Sequence, residues 1–226
     1  MMKLLLVSLT LILTACSGKN KQNDTKAPIE VTQDLRAVLD TIRRTEQRPI
    51  QLRDSLIEIY GAESKEIQEQ QSIYKKNHII NEKKIRTILD NHGWPKKEHL
   101  GELGNLTICN VIQHADNAIR IKYLPLMRQA VMDKKLEARF LVRAEDRIAT
   151  ESGDLQIYGG QMKYYPETKS FNVWPVYDPT NIDNRRAEIG LGPINEHLKN
   201  RFNFEWNLEE QLQRTAKFEK EINKNQ

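Results

Sequence analysis

A mainly helical domain with one small β-hairpin (α+β), its antiparallel helices packed around a common core, is the fold class this sequence predicts. Three observations predict it. Apolar residues recur at spacings of three and four through most of residues 31–152. The period changes to two only between residues 155 and 176. Finally, 226 residues with 38% hydrophobic and 29% charged side chains suit one polar domain that can still build a core. Besides Cys16 there is only Cys109, so that core is expected to hold without an internal disulfide.

At the N-terminus, Met1-Met2-Lys3 precedes an almost unbroken apolar run over residues 4–13 and then Thr14-Ala15-Cys16. The run is too short to cross roughly 30 Å of hydrocarbon. With its basic start and small residues before the cysteine, it reads as a secretory signal peptide over residues 1–16. Leu13-Thr14-Ala15-Cys16 resembles the lipobox of bacterial lipoproteins. That resemblance implies that Cys16 is diacylated, palmitate included, and becomes the mature N-terminus, held to a membrane by lipid alone. Loss of Lys3 with the leader lowers the formal net charge from +4 to +3. Residues 17–30 read as a flexible tether, because residues 17–26 contain no apolar side chain. Gly18, Lys19 and Asn20 form no acidic cluster after Cys16, which favours a periplasm-facing protein of the cell envelope.

A single domain is expected over residues 31–206. Val31, Leu35, Val38, Leu39 and Ile42 share a helical face, as do Leu52, Leu56, Ile59 and Tyr60, with Pro49 as a break or kink between two helices. Gly61 suits the stop. Residues 63–92 give the longest helix, with Ile67, Ile73, Tyr74, Ile80, Ile85, Ile88 and Leu89 on one side and Ile79 off it. Gly93-Trp94-Pro95 ends it.

Three shorter helices follow between residues 104 and 152. In the first, Ile108, Val111, Ile112 and Ala115 make the buried face, while His114 and Asp116 differ by about 200° of helix rotation. The two cannot converge on one atom unless the helix ends between them. Pro125 suits the first turn of the second helix, where its missing N–H costs nothing. The third has Phe140, Leu141, Ala144 and Ile148 as its stripe, bordered by Arg147, with Asp146 projecting away. A guanidinium beside a core needs a partner, either a structural carboxylate or carbonyl, or a ligand.

Between residues 155 and 176, Gln156 and Tyr158 alternate with Leu155 and Ile157, and Phe171, Val173 and Trp174 supply a second strand after a turn near residues 166–170. Gly159-Gly160 inside the first strand marks a bulge or a close approach of backbone to something else. A one-residue bulge would bring Gln161 to the face of Gln156 and Tyr158. Asp183 suits an N-cap, which places Arg185 and Arg186 in a first turn, where they oppose the helix dipole unless they meet negative charge. Residues 207–226 read as a charged helical tail.

Asn81, Gly93-Trp94-Pro95, Gln113-His114-Ala115-Asp116, Asp146-Arg147, Gln156 with Tyr158-Gly159-Gly160-Gln161, and Asp183 with Arg185-Arg186 and Gly190-Leu191 occur in a fixed order. Together they resemble the motifs of a bacterial domain family catalogued only as of unknown function, over roughly residues 46–198. Gly160 departs from that pattern, which usually has threonine there. The resemblance implies one domain and supplies no activity or cofactor.

No His-Glu-x-x-His, Cys-x-x-Cys, phosphate-binding glycine loop or Gly-x-Ser-x-Gly elbow is present, so metal, nucleotide and serine-hydrolase readings have no motif behind them and no cofactor is expected. Basic residues are interspersed with acidic ones, against nucleic-acid binding. The favoured expectation is an envelope lipoprotein that binds an anionic small molecule, a cell-wall fragment or an envelope protein. His114, Arg147, Gln156, Tyr158, Gln161, Arg185 and Arg186 are the candidate binding residues. Whether the protein is an enzyme stays open. The alternative is a hydrolase or transferase with His114 as acid or base, Asp116 or Glu145 orienting it, and Arg147 with Arg186 stabilising negative charge.

Overall fold

Leu35, Leu39 and Ile42 recur one helical turn apart and are all but inaccessible, which fixes the buried face of the first helix, α1 (Val31–Tyr60). The computed structural model describes residues 31–224. The expected signal peptide, Cys16 and the expected tether lie outside them. Gly61, at φ +80°, ends α1, and Ser64 caps α2 (Lys65–His92) by accepting from the Ile67 N–H. Pro49 and Arg53 of α1 lie with Gln70 and Tyr74 of α2 at one end and Val38 and Thr41 lie with Lys84 and Ile88 at the other, so the two helices run antiparallel.

Pro49 lies inside α1 and does not divide it. A proline leaves the carbonyl four residues earlier without its helical donor. Here that carbonyl is Thr45 O, and Asn77 Nδ2 donates to it at 2.9 Å. A side chain of the neighbouring helix thus supplies the bond that Pro49 cannot make, so the helix continues.

The chain then makes α3 (Lys97–Leu100), α4 (Gly104–His114), α5 (Asn117–Met132) and α6 (Ala138–Glu151). Pro125 is well inside α5, not in its first turn. Leu39, Ile42, Ile85, Ile108, Ile112 and Met127, all within 1% of full burial, centre one core shared by α1, α2, α4 and α5, which α6 joins through Phe140, Leu141 and Ala144. Each such side chain contributes roughly 1.5–3 kcal/mol by leaving water. Cys109 is buried in this core, and burial pushes its thiol pKa up.

A second, smaller core follows. Strands β1 (Met162–Tyr165) and β2 (Ser170–Val173) pair antiparallel with Met162 opposite Val173, and α7 (Ile182–Glu188), α8 (Ile194–Phe202) and α9 (Leu208–Lys224) complete the chain. Val173, Val176, Ile182, Ile194 and Leu198 pack together there. The mainly helical class with a small hairpin therefore holds, with two apolar clusters in place of one. Gly159 and Gly160 precede β1 and are not part of a strand. Residues 208–224 pack on this second cluster: Thr215 Oγ1 donates to Val176 O at 3.0 Å and Gln211 Nε2 to Trp174 O at 3.2 Å.

On α2 the buried residues are Ile67, Asn81, Ile85 and Leu89, so Ile73 and Ile80 point outward, 38% and 55% exposed. Asn81 fits the packed face because Thr45 and Glu46 on α1 satisfy its amide. Asp146 also departs from expectation, being fully buried. The loop before β1 covers that side of α6, which a single helix wheel does not reveal.

Candidate functional site

Two groups of polar side chains are organised by this fold, and they have different characters. The first encloses the loop of residues 156–161. Asp146 Oδ1 accepts from the Ile157 and Tyr158 N–H groups at 2.8 Å each, and Oδ2 accepts from Gly160 N–H at 2.7 Å. Gly159 at φ +80° turns the chain around the carboxylate. The cradle of backbone donors that paired glycines make available is thus filled by the protein's own anion. Gln156, fully buried, closes the loop: its Oε1 accepts from Gln161 N–H at 2.8 Å, and its Nε2 donates to Gln161 O at 3.1 Å and Trp174 O at 2.8 Å.

Arg186 is buried and donates to Gly192 O and Tyr158 O, both at 2.7 Å. Arg185 donates to the carbonyls of Asp178, Ile157 and Tyr177. Both lie in the last turn of α7, where the dipole favours them, and Asp183 accepts from Ile194 N–H instead of capping its own helix. Gln156, Arg185 and Arg186 therefore knit loops together, with their polar atoms turned to backbone. Gly159→Ala should cost about 2 kcal/mol, since a Cβ there would sit 2.7 Å from Ile194 Cδ1 at a φ that alanine avoids. A shift in the denaturation midpoint measures it, and a change near zero would contradict the packing.

The second group lies where α1, α2 and the end of α4 meet. Helix α4 ends at His114, so the helix does stop between His114 and Asp116. Asp116 nonetheless turns away and caps α5, accepting from Ile119 N–H at 2.9 Å. Glu145 pairs with Arg128 at 2.7 Å. Neither carboxylate orients His114. Buried Arg120 holds the end of α4 instead, donating to Gln113 O at 3.0 Å and to Ala115 O, where helical carbonyls lack partners.

His114 lines an opening of about 250 Å³ together with Pro49, Ile50, Arg53, Gln70, Gln71 and Tyr74. Behind it, buried Glu46 accepts from Asn81 Nδ2 at 2.9 Å and meets His78 Nδ1 at 3.2 Å. Tyr74 stacks on the His78 ring at 5.8 Å, and the His78 and His114 rings meet edge to face at 6.5 Å. His78 Nε2 is buried and turned toward the His114 carbonyl without closing a hydrogen bond. Arg147 stands beside this group, paired with Glu151 at 2.9 Å, and Arg120 shares that carboxylate.

The charges act on one another in a consistent direction. The hydrogen bond that His78 donates to Glu46 pushes the His78 pKa up against its burial. Partial burial and then the Arg147 charge push that of His114 down, which leaves a neutral imidazole at the opening. Burial, reinforced by Glu46, pushes Tyr74 up to about 12, so its hydroxyl keeps its proton. With Glu46 already held by His78 and Asn81, the opening presents N–H and O–H donors and guanidinium charge. Among the described residues there is no group of three or more His, Cys, Asp or Glu side chains placed to hold a metal ion.

A family of unknown function, DUF6624, matches residues 63–204, well over half of the chain. The chain belongs to that family. No curated protein and no solved structure matches it. The DUF6624 segment contains Tyr74, His78, His114 and Arg147, whereas Glu46 and Arg53 come from α1, which precedes it.

Glu46, His78 and Arg120 are the members of this site that spacing arguments passed over. A signal for them exists. Glu46 continues the stripe of Leu35, Leu39 and Ile42, His78 and Asn81 interrupt that of Ile67, Tyr74, Ile85 and Leu89, and Arg120 heads that of Tyr123, Met127 and Ala130. A charge on a buried stripe demands a partner.

Proposed function

We propose that this DUF6624 protein is a cell-envelope lipoprotein, anchored through Cys16 and facing the periplasm, whose helical domain binds a small anion at the opening beside His114. The observation that carries the binding reading is the donor set: neutral His114, protonated Tyr74, Gln70, Gln71 and Arg53 line one opening with Arg147 beside it. The nearest buried carboxylate, Glu46, is already occupied by His78 and Asn81. Such a surface suits a carboxylate or phosphate group. Leu13-Thr14-Ala15-Cys16 supports the anchor, and no helix among the described residues is long and apolar enough to cross a membrane.

Two variants test the halves separately. Cys16→Ser should abolish lipid labelling and release the protein from membranes, and equal retention would remove the anchor. Arg147→Ala should weaken binding of inorganic phosphate or a small dicarboxylate by roughly 10-fold or more, as expected for one charge-assisted contact. Its melting midpoint should barely move, because the Arg147–Glu151 pair is surface-exposed. Unchanged affinity in a titration calorimeter would assign Arg147 a structural role only.

A further inference from the structure

An apolar groove between α1 and α2 has no visible use in the fold. About 850 Å³ in volume, it is walled by Ala37, Val38 and Thr41 of α1 and by Ile79, Ile80 and Ile88 of α2, with Lys83 and Lys84 at its edge. Ile79 and Ile80 are 70% and 55% exposed. Two adjacent isoleucines held in water beside further apolar wall are not explained by core packing, and contiguous patches of this kind mark interaction surfaces. By helical spacing, the α2 edge continues through Lys76 and the α1 edge through Arg44 and Arg48, all three exposed, with exposed Asp40 as the one acid on that edge, a turn before Arg44. Among the described residues, no carboxylate lines the groove.

We infer that this face seats on the surface of an anionic bilayer, with Ile79 and Ile80 entering the headgroup boundary and the surrounding lysines and arginines meeting lipid phosphates. Three features select this occupant. Charge is one: apolar side chains flanked by an excess of cations fit an anionic interface, in the manner of basic amphipathic helices. A second copy of the chain fits poorly, because two-fold pairing would set Lys83 and Lys84 against their counterparts. Position is the third. The groove begins at Ala37, two turns into α1, and the 15 residues from Cys16 to Val31 reach at most about 50 Å. The inference therefore rests on the lipid anchor proposed above, which holds this end of α1 within reach of the membrane.

The test uses the full mature lipoprotein carrying Ile80→Cys labelled with an environment-sensitive fluorophore, which is selective because Cys109 is buried. It is reconstituted on vesicles of phosphatidylcholine alone or of phosphatidylcholine with phosphatidylglycerol. The expected result is flotation with both vesicles and a blue shift of the probe only where phosphatidylglycerol is present. Adding Lys83→Gln and Lys84→Gln should lower the ratio of seated to unseated probe about 30-fold, at one lipid-facing charge each. Flotation with the probe in water on both membranes overturns the docking and leaves the anchor standing. Failure to float overturns the anchor, and the docking with it. A blue shift without vesicles that grows with protein concentration, or one that needs an acidic envelope protein in place of lipid, would identify a different occupant and overturn the inference.

Discussion

Replacing Asp146 by alanine should lower the free energy of unfolding by about 3–5 kcal/mol, among the largest single effects in the molecule. Its carboxylate is fully buried and accepts from three backbone N–H groups, those of Ile157, Tyr158 and Gly160. The truncated side chain leaves all three donors inside the protein with no acceptor and a void the size of a carboxylate. Burial, reinforced by the Glu145 charge, pushes the Asp146 carboxyl up against its three hydrogen bonds, so some cost of holding the charge is recovered, which keeps the expectation below the sum of three charge-assisted bonds. The damage should be local before it is global. Amide exchange at Ile157, Tyr158 and Gly160 should accelerate while α1 and α2 keep their protection, because those helices belong to the other core. Asp146→Asn should be milder, since one amide oxygen can still accept from two of the donors. A chemical denaturation curve in which Asp146→Ala loses under 1 kcal/mol would mean the loop is held by something other than this carboxylate.

The contrast between Asp146 and Arg147 shows where the sequence is informative. Helical spacing places both residues correctly along α6, and the apolar stripe of Phe140, Leu141 and Ala144 is buried as its period requires. Periodicity describes one helix against one neighbour. Asp146 is buried by a second layer, formed by a loop that begins only after α6 has ended, and no window on α6 contains that information. The paired glycines were legible as a place where backbone approaches something closely. What it approaches is a side chain about a dozen residues earlier in the chain, and only the tertiary fold supplies that fact. The same limit applies to Arg185 and Arg186. Moving the start of α7 by a residue or two turns arginines that oppose the dipole into arginines that complement it, and helix ends are the least determined feature of any spacing argument.

His114 and Arg147 were visible as polar residues beside apolar stripes, and the fold does bring them near one another. Their setting was not visible, because Glu46 and His78 belong to two helices that meet only when α1 folds back on α2. The Pro49 contact illustrates the coupling. The proline frees Thr45 O, Asn77 takes it, and this fixes the register that sets His78, the next residue of α2, against Glu46.

Removing the acid of that pair should produce the second large effect. Glu46→Ala deprives His78 and Asn81 of a common acceptor inside the protein and should cost about 3 kcal/mol. The subtler variant, Glu46→Gln, separates charge from packing through pH. In the wild-type protein the His78 pKa is raised above its unfolded value of about 6.5, chiefly by the Glu46 hydrogen bond. The folded state therefore binds more protons than the unfolded state in the window above 6.5. The pair's contribution is fully present below that value and is lost as pH rises through the folded pKa, with a slope of at most about 1.4 kcal/mol per pH unit. His114 and His197 are both pushed down, His197 to about 4, so their titrations fall on the acid side and leave the window clear. In Glu46→Gln the main cause of the upward shift is gone while burial, which lowers the pKa, remains. The decline in stability above pH 6.5 should then vanish or reverse. Denaturation midpoints measured across neutral pH for the two proteins decide it: parallel declines would show that some group other than His78 carries the pH dependence, and that the Glu46–His78 contact does not hold a proton between the two helices.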